Sequence, residues 1–258
     1  MAPELVDTHA HAFLRQLPMA QTRRYTPGYD APVDRYLDIL DQHGVAWGVL
    51  VQPSFYGVDN SYLVESLHAA AGRLKGIAVV EPEVSDQALD TLQAAGVMGV
   101  RFNLIGAGAT GLSATDHRAL IRRVAERGWQ VHVQAQGPDW PAVLTALEDV
   151  DGPVIADHYG LPNPALGVGC TGFQALLAEG PQGRLFVKLS APYRCGGGPI
   201  ERYRAALLER LGPQRLLWGS DWPWTQHEDR RNYADTLADA ALTAATAQRL
   251  FGFTTTAG

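Results

Sequence analysis

At 258 residues, with 46% hydrophobic and 19% charged side chains, the chain is long enough for a substantial core and lacks the bias of a disordered segment. A formal charge of −6 argues against general nucleic-acid binding, which needs a basic stripe that is missing here, and no apolar run reaches the length of a membrane span. Cys170 and Cys195 are too few for a disulfide framework and are expected to be reduced.

The first residues, MAPELVDTHAH, have no basic start followed by an apolar core, so no secretory signal is read and a cytoplasmic address is expected. From there, short runs rich in Val, Ile and Leu alternate with longer amphipathic stretches, the pattern of parallel strands joined by helices. Strands are predicted at Glu4–His9, Val45–Gln52, Gly76–Val80, Val97–Phe102, Gln130–Gln134, Val154–Asp157, Leu185–Leu189 and Leu216–Ser220. Between them, apolar residues recur at helical spacing, as in Leu63, Leu67 and Leu74 or Leu120, Ile121 and Val124. Asp59, Asn60 and Ser85 are candidate helix caps, while Gly44, Gly96, Gly128 and Gly180 are candidate stops. Eight strand–helix pairs predict a single-domain (β/α)8 TIM-type barrel over residues 1–258, with a doubly wound sheet as the runner-up.

Three segments between these elements read as loops: the polar, Pro- and Gly-rich stretch Phe13–Pro32, the run of small residues Ile105–Ala114, and RCGGGP at 194–199. In such barrels the reacting groups stand at the carboxyl ends of the strands and in the loops that follow. His9 and His11 end the first strand, and a spacing of two puts both imidazoles on one side of an extended chain. Arg101 ends the fourth strand, His158 the sixth and Asp221 the eighth. His43, His68 and His117 fall on predicted helices and are read as structural. Phe251 and Phe253 are taken as exposed apolar residues that cover the barrel bottom or a partner.

VDTHAH at 6–11, ADHYG at 156–160 and GSDWP at 219–223 resemble the amidohydrolase superfamily, in its amidohydrolase 2 branch, and span nearly the whole chain. Within that branch, VQPSFYGVDN at 51–60, GVRFNL at 99–104, GWQVHVQ at 128–134 and VKLSAPYR at 187–194 are similar to segments of 2-pyrone-4,6-dicarboxylate lactonases and related lactone hydrolases. The resemblance implies catalytic roles for Asp221, His9, His11 and His158, and substrate contacts from Tyr25, Ser54, Arg101 and Arg194. The arginines suit a carboxylate independently, because a planar guanidinium grips one through two parallel hydrogen bonds. Ala107 stands where the lactonases carry a second arginine, and Trp224 where the family tends to have His or Asn, so a different acid from the 2-pyrone dicarboxylate is expected.

The resemblance implies no cofactor, since the lactonases work without metal; the alternative is one divalent ion, zinc or manganese, on His9, His11 and Asp221 with His158 nearby. Gln134 aligns with a ligand position of metal-dependent members, with His132 one inward step earlier, and no lysine ends the fourth strand, which argues against a binuclear centre. The expected reaction is hydrolysis of a small carboxylated lactone, with Asp221 as the base that activates water. A metal-dependent amidohydrolase or decarboxylase of a small acid is the second reading. From another class comes a catalytically silent, ligand-binding barrel, opposed by the cost of burying so many polar groups unused.

Overall fold

A computed structural model of the chain describes residues 3–109, 112 and 114–254. The loop expected at Ile105–Ala114 therefore contains three positions, 110, 111 and 113, outside the described residues. All eight predicted strands form: β1 (Leu5–Ala10), β2 (Val45–Val51), β3 (Leu74–Ala78), β4 (Val97–Asn103), β5 (Gln130–Gln134), β6 (Val154–Ala156), β7 (Leu185–Ser190) and β8 (Leu216–Gly219). They join one sheet in the order β1 to β8. Each is followed by a helix: α1 (Val33–Gln42), α2 (Ser61–Ala69), α3 (Asp86–Ala94), α4 (Thr115–Glu126), α5 (Trp140–Ala146), α6 (Thr171–Ala178), α7 (Ile200–Leu211) and α8 (Ala240–Phe251). This is the (β/α)8 barrel topology. Among the described residues no helix is long and apolar enough to cross a membrane.

The chain divides into two compact units, residues 1–98 with 218–258 and residues 99–217. In the first, β3 begins two residues earlier than expected, because Leu74 and Lys75 pair in register with Gly48 and Val49 of β2. β1 is irregular: Asp7 stands opposite Gly48 but Ala10 opposite Leu50, so three steps on β1 match two on β2. Such a bulge re-aims side chains. Beyond β8, Trp222 pairs with Ala10 in a parallel bridge. Ser85 caps α3 by accepting from the Ala88 amide at 3.2 Å. At α2 the side chain that accepts is Asp59, from the Ser61 amide at 3.1 Å, while Asn60 donates instead to the Val58 and Val79 carbonyls. Phe251 and Phe253 are buried, not exposed, and Trp47 stacks on Phe253 at 5.0 Å.

In the second unit, β4, β5, β6 and β7 pair in parallel, and the register sets Arg101 beside His132 and Asn103 beside Gln134. Leu120 and Val124 of α4, Trp140 and Val143 of α5, Phe173 and Leu176 of α6, and Tyr203 and Leu207 of α7 are all buried. At α6 the packing is backbone on backbone: a Cβ on Gly172 would lie 1.5 Å from the Gly137 carbonyl oxygen. Gly172→Ala is therefore expected to cost about 3 kcal/mol through forced separation of the two segments, seen as a fall in Tm of roughly 6–12 °C. A Tm within about one degree of the parent would show that α6 does not dock this way.

Candidate active site

The first unit builds a cluster around the end of β1. Asp7, fully buried, accepts five hydrogen bonds: from the His9 and Ser220 amides at 3.2 and 2.8 Å, the Ser220 hydroxyl at 2.6 Å, and the Tyr36 and Tyr233 hydroxyls at 3.0 and 2.9 Å. Burial pushes its carboxyl above the usual range, and the donors from Ser220, His9 and Tyr233 pull the other way. Across this anchor the Asp221 amide donates to the His9 carbonyl and the His11 amide to the Trp222 carbonyl, both at 2.8 Å. The approach is tight enough that a Cβ on Gly219 would sit 2.7 Å from the Cβ of His9. That explains the glycine of GSDWP.

This packing brings three of the expected residues together. His9 Nε2 and His11 Nε2 are 3.3 Å apart, and Asp221 Oδ1 lies 3.6 Å from the first and 3.8 Å from the second. All three residues are buried. His11 Nδ1 is 2.7 Å from the Val51 carbonyl. A carbonyl can only accept, so Nδ1 carries a hydrogen and the neutral ring presents its Nε2 lone pair to the cluster. Such a backbone partner is what orients a metal-ligating histidine. The three separations are also close to the ligand–ligand distance of about 3.3 Å in a tetrahedral shell with bonds of 2.0–2.1 Å. His9, His11 and Asp221 thus form a group that fits one divalent ion.

The second unit carries its own buried polar cluster at the ends of β4 to β7. Asp157 Oδ2 accepts from Arg101 Nε at 3.1 Å, and Oδ1 lies 3.1 Å from Lys188 Nζ. Arg101 also donates through Nη2 to the Gln134 side-chain oxygen. Lys188 Nζ reaches His132 Nδ1 at 3.1 Å, and His132 Nε2 is 2.9 Å from the side-chain oxygen of Gln130. Burial, followed by the Lys188 charge, holds the His132 imidazole well below its ordinary pKa, so it is neutral, with Nε2–H donating to Gln130 and Nδ1 accepting from lysine. His158 follows β6 with its Nδ1 2.8 Å from the Ser190 hydroxyl. Its backbone is left-handed (φ 53°), as are Tyr159, Leu161 and Ala191 in this unit and Asp221 (φ 59°) in the other. Non-glycine residues in that region cost of order 1–3 kcal/mol each and gather at functional sites.

Of the remaining expected residues, Tyr25 is half-buried and donates to Glu228 at 2.8 Å. Ser54 is exposed at the start of a single turn after β2. Arg194 is half-exposed in the turn after β7, with its guanidinium 5.4 Å from the Tyr193 ring. Arg101 lies two residues before the end of β4 and is buried, with Asp157 and Gln134 on the edge formed by its Nε and Nη2. Sequence reasoning missed Asp7, Asp157 and Lys188. The available signal was a charge inside an apolar strand: Lys188 interrupts LFVKLS, every residue of which is buried, and must find an acid.

Known proteins offer close comparisons. This chain is 30% identical over 239 residues to a 2-pyrone-4,6-dicarboxylate hydrolase from Comamonas testosteroni, covering 87% of this chain and 78% of that one. It is equally 30% identical to a 4-sulfomuconolactone hydrolase from Rhizobium radiobacter, over 89% of this chain and 79% of the other. A crystal structure from Acinetobacter baumannii, described as a "probable 2-pyrone-4,6-dicarboxylic acid hydrolase" with citric acid bound, superposes with a TM-score of 0.91 at 33% identity, over 97% of this chain and all of that one. The family model described as Amidohydrolase matches residues 6–255, nearly the full length, and the chain accordingly belongs to the amidohydrolase family of hydrolases.

Proposed function

We propose that this protein opens the ring of a small carboxylated lactone by hydrolysis, with Asp221 as the base that activates water. The observation that carries the reading is a buried carboxylate at the end of β8 facing two imidazole nitrogens at 3.6 and 3.8 Å. Relatives named as hydrolases of a pyrone dicarboxylate and of a sulfomuconolactone support the bond and the substrate class. Asp221 takes a proton from water as the oxygen attacks the lactone carbonyl. His9 and His158 stabilise the oxyanion that forms by hydrogen bonding or positive charge, and His11, whose Nδ1 hydrogen is held by Val51, does so in its protonated form, with a second hydrogen on Nε2. When the ring carbon–oxygen bond breaks, Asp221 returns the proton to the leaving oxygen, and the product is the ring-opened acid.

Arg101, Arg194, Ser54 and Tyr25 bind and position the substrate. Arg101 is held on its Nε–Nη2 edge by Asp157 and Gln134, which leaves the end-on fork of the guanidinium as the face for a carboxylate. With Ala107 in place of a second arginine, the anionic grip is smaller than that of the dicarboxylate hydrolases, and the acid differs accordingly. Because all eight strands join one sheet, residues 1–258 are proposed to form one domain. A cytoplasmic address goes with this reading.

A second reading rests on the spacing of the His9, His11 and Asp221 ligand atoms, which suits one zinc or manganese ion. When bound, such an ion would lower the pKa of water and polarise the carbonyl. In both readings His11 is oriented by Val51 and Asp221 handles the proton.

Three outcomes are expected. Asp221→Asn should lower kcat by about a hundredfold to ten-thousandfold, the range for loss of a general base, with an unchanged circular dichroism spectrum; near-normal turnover would remove Asp221 from the chemistry. Arg194→Met should raise KM for a carboxylated lactone roughly tenfold to a hundredfold, matching the ~1.5–3 kcal/mol of a charge-assisted hydrogen bond, with kcat little changed. Protein stripped by a chelator and shown by elemental analysis to be metal-free should still hydrolyse a lactone. Activity lost on stripping and restored by zinc or manganese would make His9 and His11 ligands, and carbon dioxide among the products would indicate decarboxylation.

A further inference from the structure

The long loop from Phe13 to Pro32 leaves β1 directly after His11, and its two ends are tied by paired backbone bonds of 2.8 Å between Phe13 and Ala31. Its middle is tied elsewhere. The Tyr25 and Tyr29 hydroxyls both donate to one carboxylate oxygen, Oε1 of Glu228, each at 2.8 Å. The Gln226 amide donates to the same oxygen at 2.8 Å. Glu228 lies seven residues beyond Asp221, in a segment whose backbone is left-handed at Trp224 and Gln226. One oxygen thus joins the loop that starts from the histidine pair to the segment that starts from the carboxylate.

We propose that Glu228 is a positioning residue for substrate binding: it clasps the 13–32 loop to the Asp221 segment and holds Tyr25 at the orientation in which Tyr25 meets the substrate. The proposal rests on the lactonase reading for the role of Tyr25, but the clasp itself does not. An aromatic layer backs it, with Phe13 against Tyr29 at 5.3 Å, Phe13 against Phe55 at 5.1 Å and Tyr25 against Phe55 at 6.2 Å. These contacts limit how far the tyrosines can turn without leaving Glu228. Burial alone would raise the Glu228 carboxyl, yet the backbone and tyrosine donors outweigh it and hold it below its ordinary value. Burial and then Glu228 push the Tyr25 hydroxyl up to about 12, so at neutral pH the acid is ionised and the tyrosine keeps its proton. A charged acceptor makes these bonds about twice as strong as neutral ones. Tyr25 has a single proton, committed to Glu228. Loss of Glu228 would release both the ring and that proton.

The test compares Glu228→Ala, Glu228→Gln, Tyr25→Phe and the Glu228→Ala/Tyr25→Phe pair with the parent protein. One readout needs no turnover: the rate at which trypsin cuts the native protein after Arg23 and Arg24, both exposed in the loop, followed by mass spectrometry. The other is KM and kcat on whichever carboxylated lactone the parent hydrolyses fastest. Glu228→Ala should be cut roughly tenfold faster or more, and should raise KM about tenfold with kcat within about threefold, a loss of binding without loss of chemistry. Glu228→Gln, which keeps a neutral acceptor, should fall between; it also serves if the alanine variant folds poorly. In the Tyr25→Phe background, Glu228→Ala should add little to KM, since residues acting through one another are not additive. Unchanged cleavage overturns the clasp. A KM effect that persists in full without the Tyr25 hydroxyl, or a fall in kcat at constant KM, overturns the positioning role. If the parent turns over no lactone, the hydrolase reading fails, and the cleavage rates alone still uphold or overturn the clasp.

Discussion

The cluster at the end of β1 depends first on one buried carboxylate. Asp7 gathers five donors from β1, α1, the end of β8 and the segment before α8, and a buried acid without them would be costly enough to unfold the local structure. Because two of those donors belong to Ser220, the residue before Asp221, the anchor also sets where the Asp221 carboxylate emerges. The bulge in β1 completes the arrangement. Asp7 and His9 are two residues apart and would share a face in a regular strand, but the extra residue breaks the alternation. Asp7 then meets Tyr36 and Tyr233, while His9 meets His11 and Asp221.

The other unit solves a related problem with charge. Arg101 and Lys188 are both buried, and Asp157 stands between them with one oxygen for each. Neutral His132 extends the network to Gln130, so the lysine hydrogen-bonds without placing a second charge beside it. Breaking a buried pair by removing one partner is far more damaging than never having built it. Among the residues expected to grip a substrate, Arg101 is oriented by these buried partners, Asp157 and Gln134.

Left-handed backbone at His158, Ala191 and Asp221 falls just after β6, β7 and β8. Strain of this kind persists where surrounding contacts over-determine it. At Asp221 the contacts are visible: the Trp224 amide returns to the Asp221 carbonyl at 2.7 Å, and the Asp221 amide is held by His9. The turn at Asp221 is thus held by backbone bonds, whereas the middle of the 13–32 loop is held by hydroxyl–carboxylate bonds at partly exposed positions. Glu228 is the acceptor on which that side-chain tie converges.

The sequence by itself determined the eight strands, the helices between them and the strand-end positions of His9, His11, His158 and Asp221, because apolar periodicity and glycine stops are local properties. Gln130–Gln134 matches to the residue, and β3 slips by two because register with Gly48 and Val49 is a pairing between strands that one segment does not encode. Family likeness added Arg101, Arg194, Ser54 and Tyr25 as substrate contacts, but their present partners could not be read. That Tyr25 donates to Glu228, 203 residues away, and that Ser220 closes on Asp7 across 213, are decided when distant strands are brought side by side. Asp7, Asp157 and Lys188 look like ordinary charged residues in one dimension. Only burial, which removes water as a partner, obliges each to find one within the protein, and burial exists only in the folded chain.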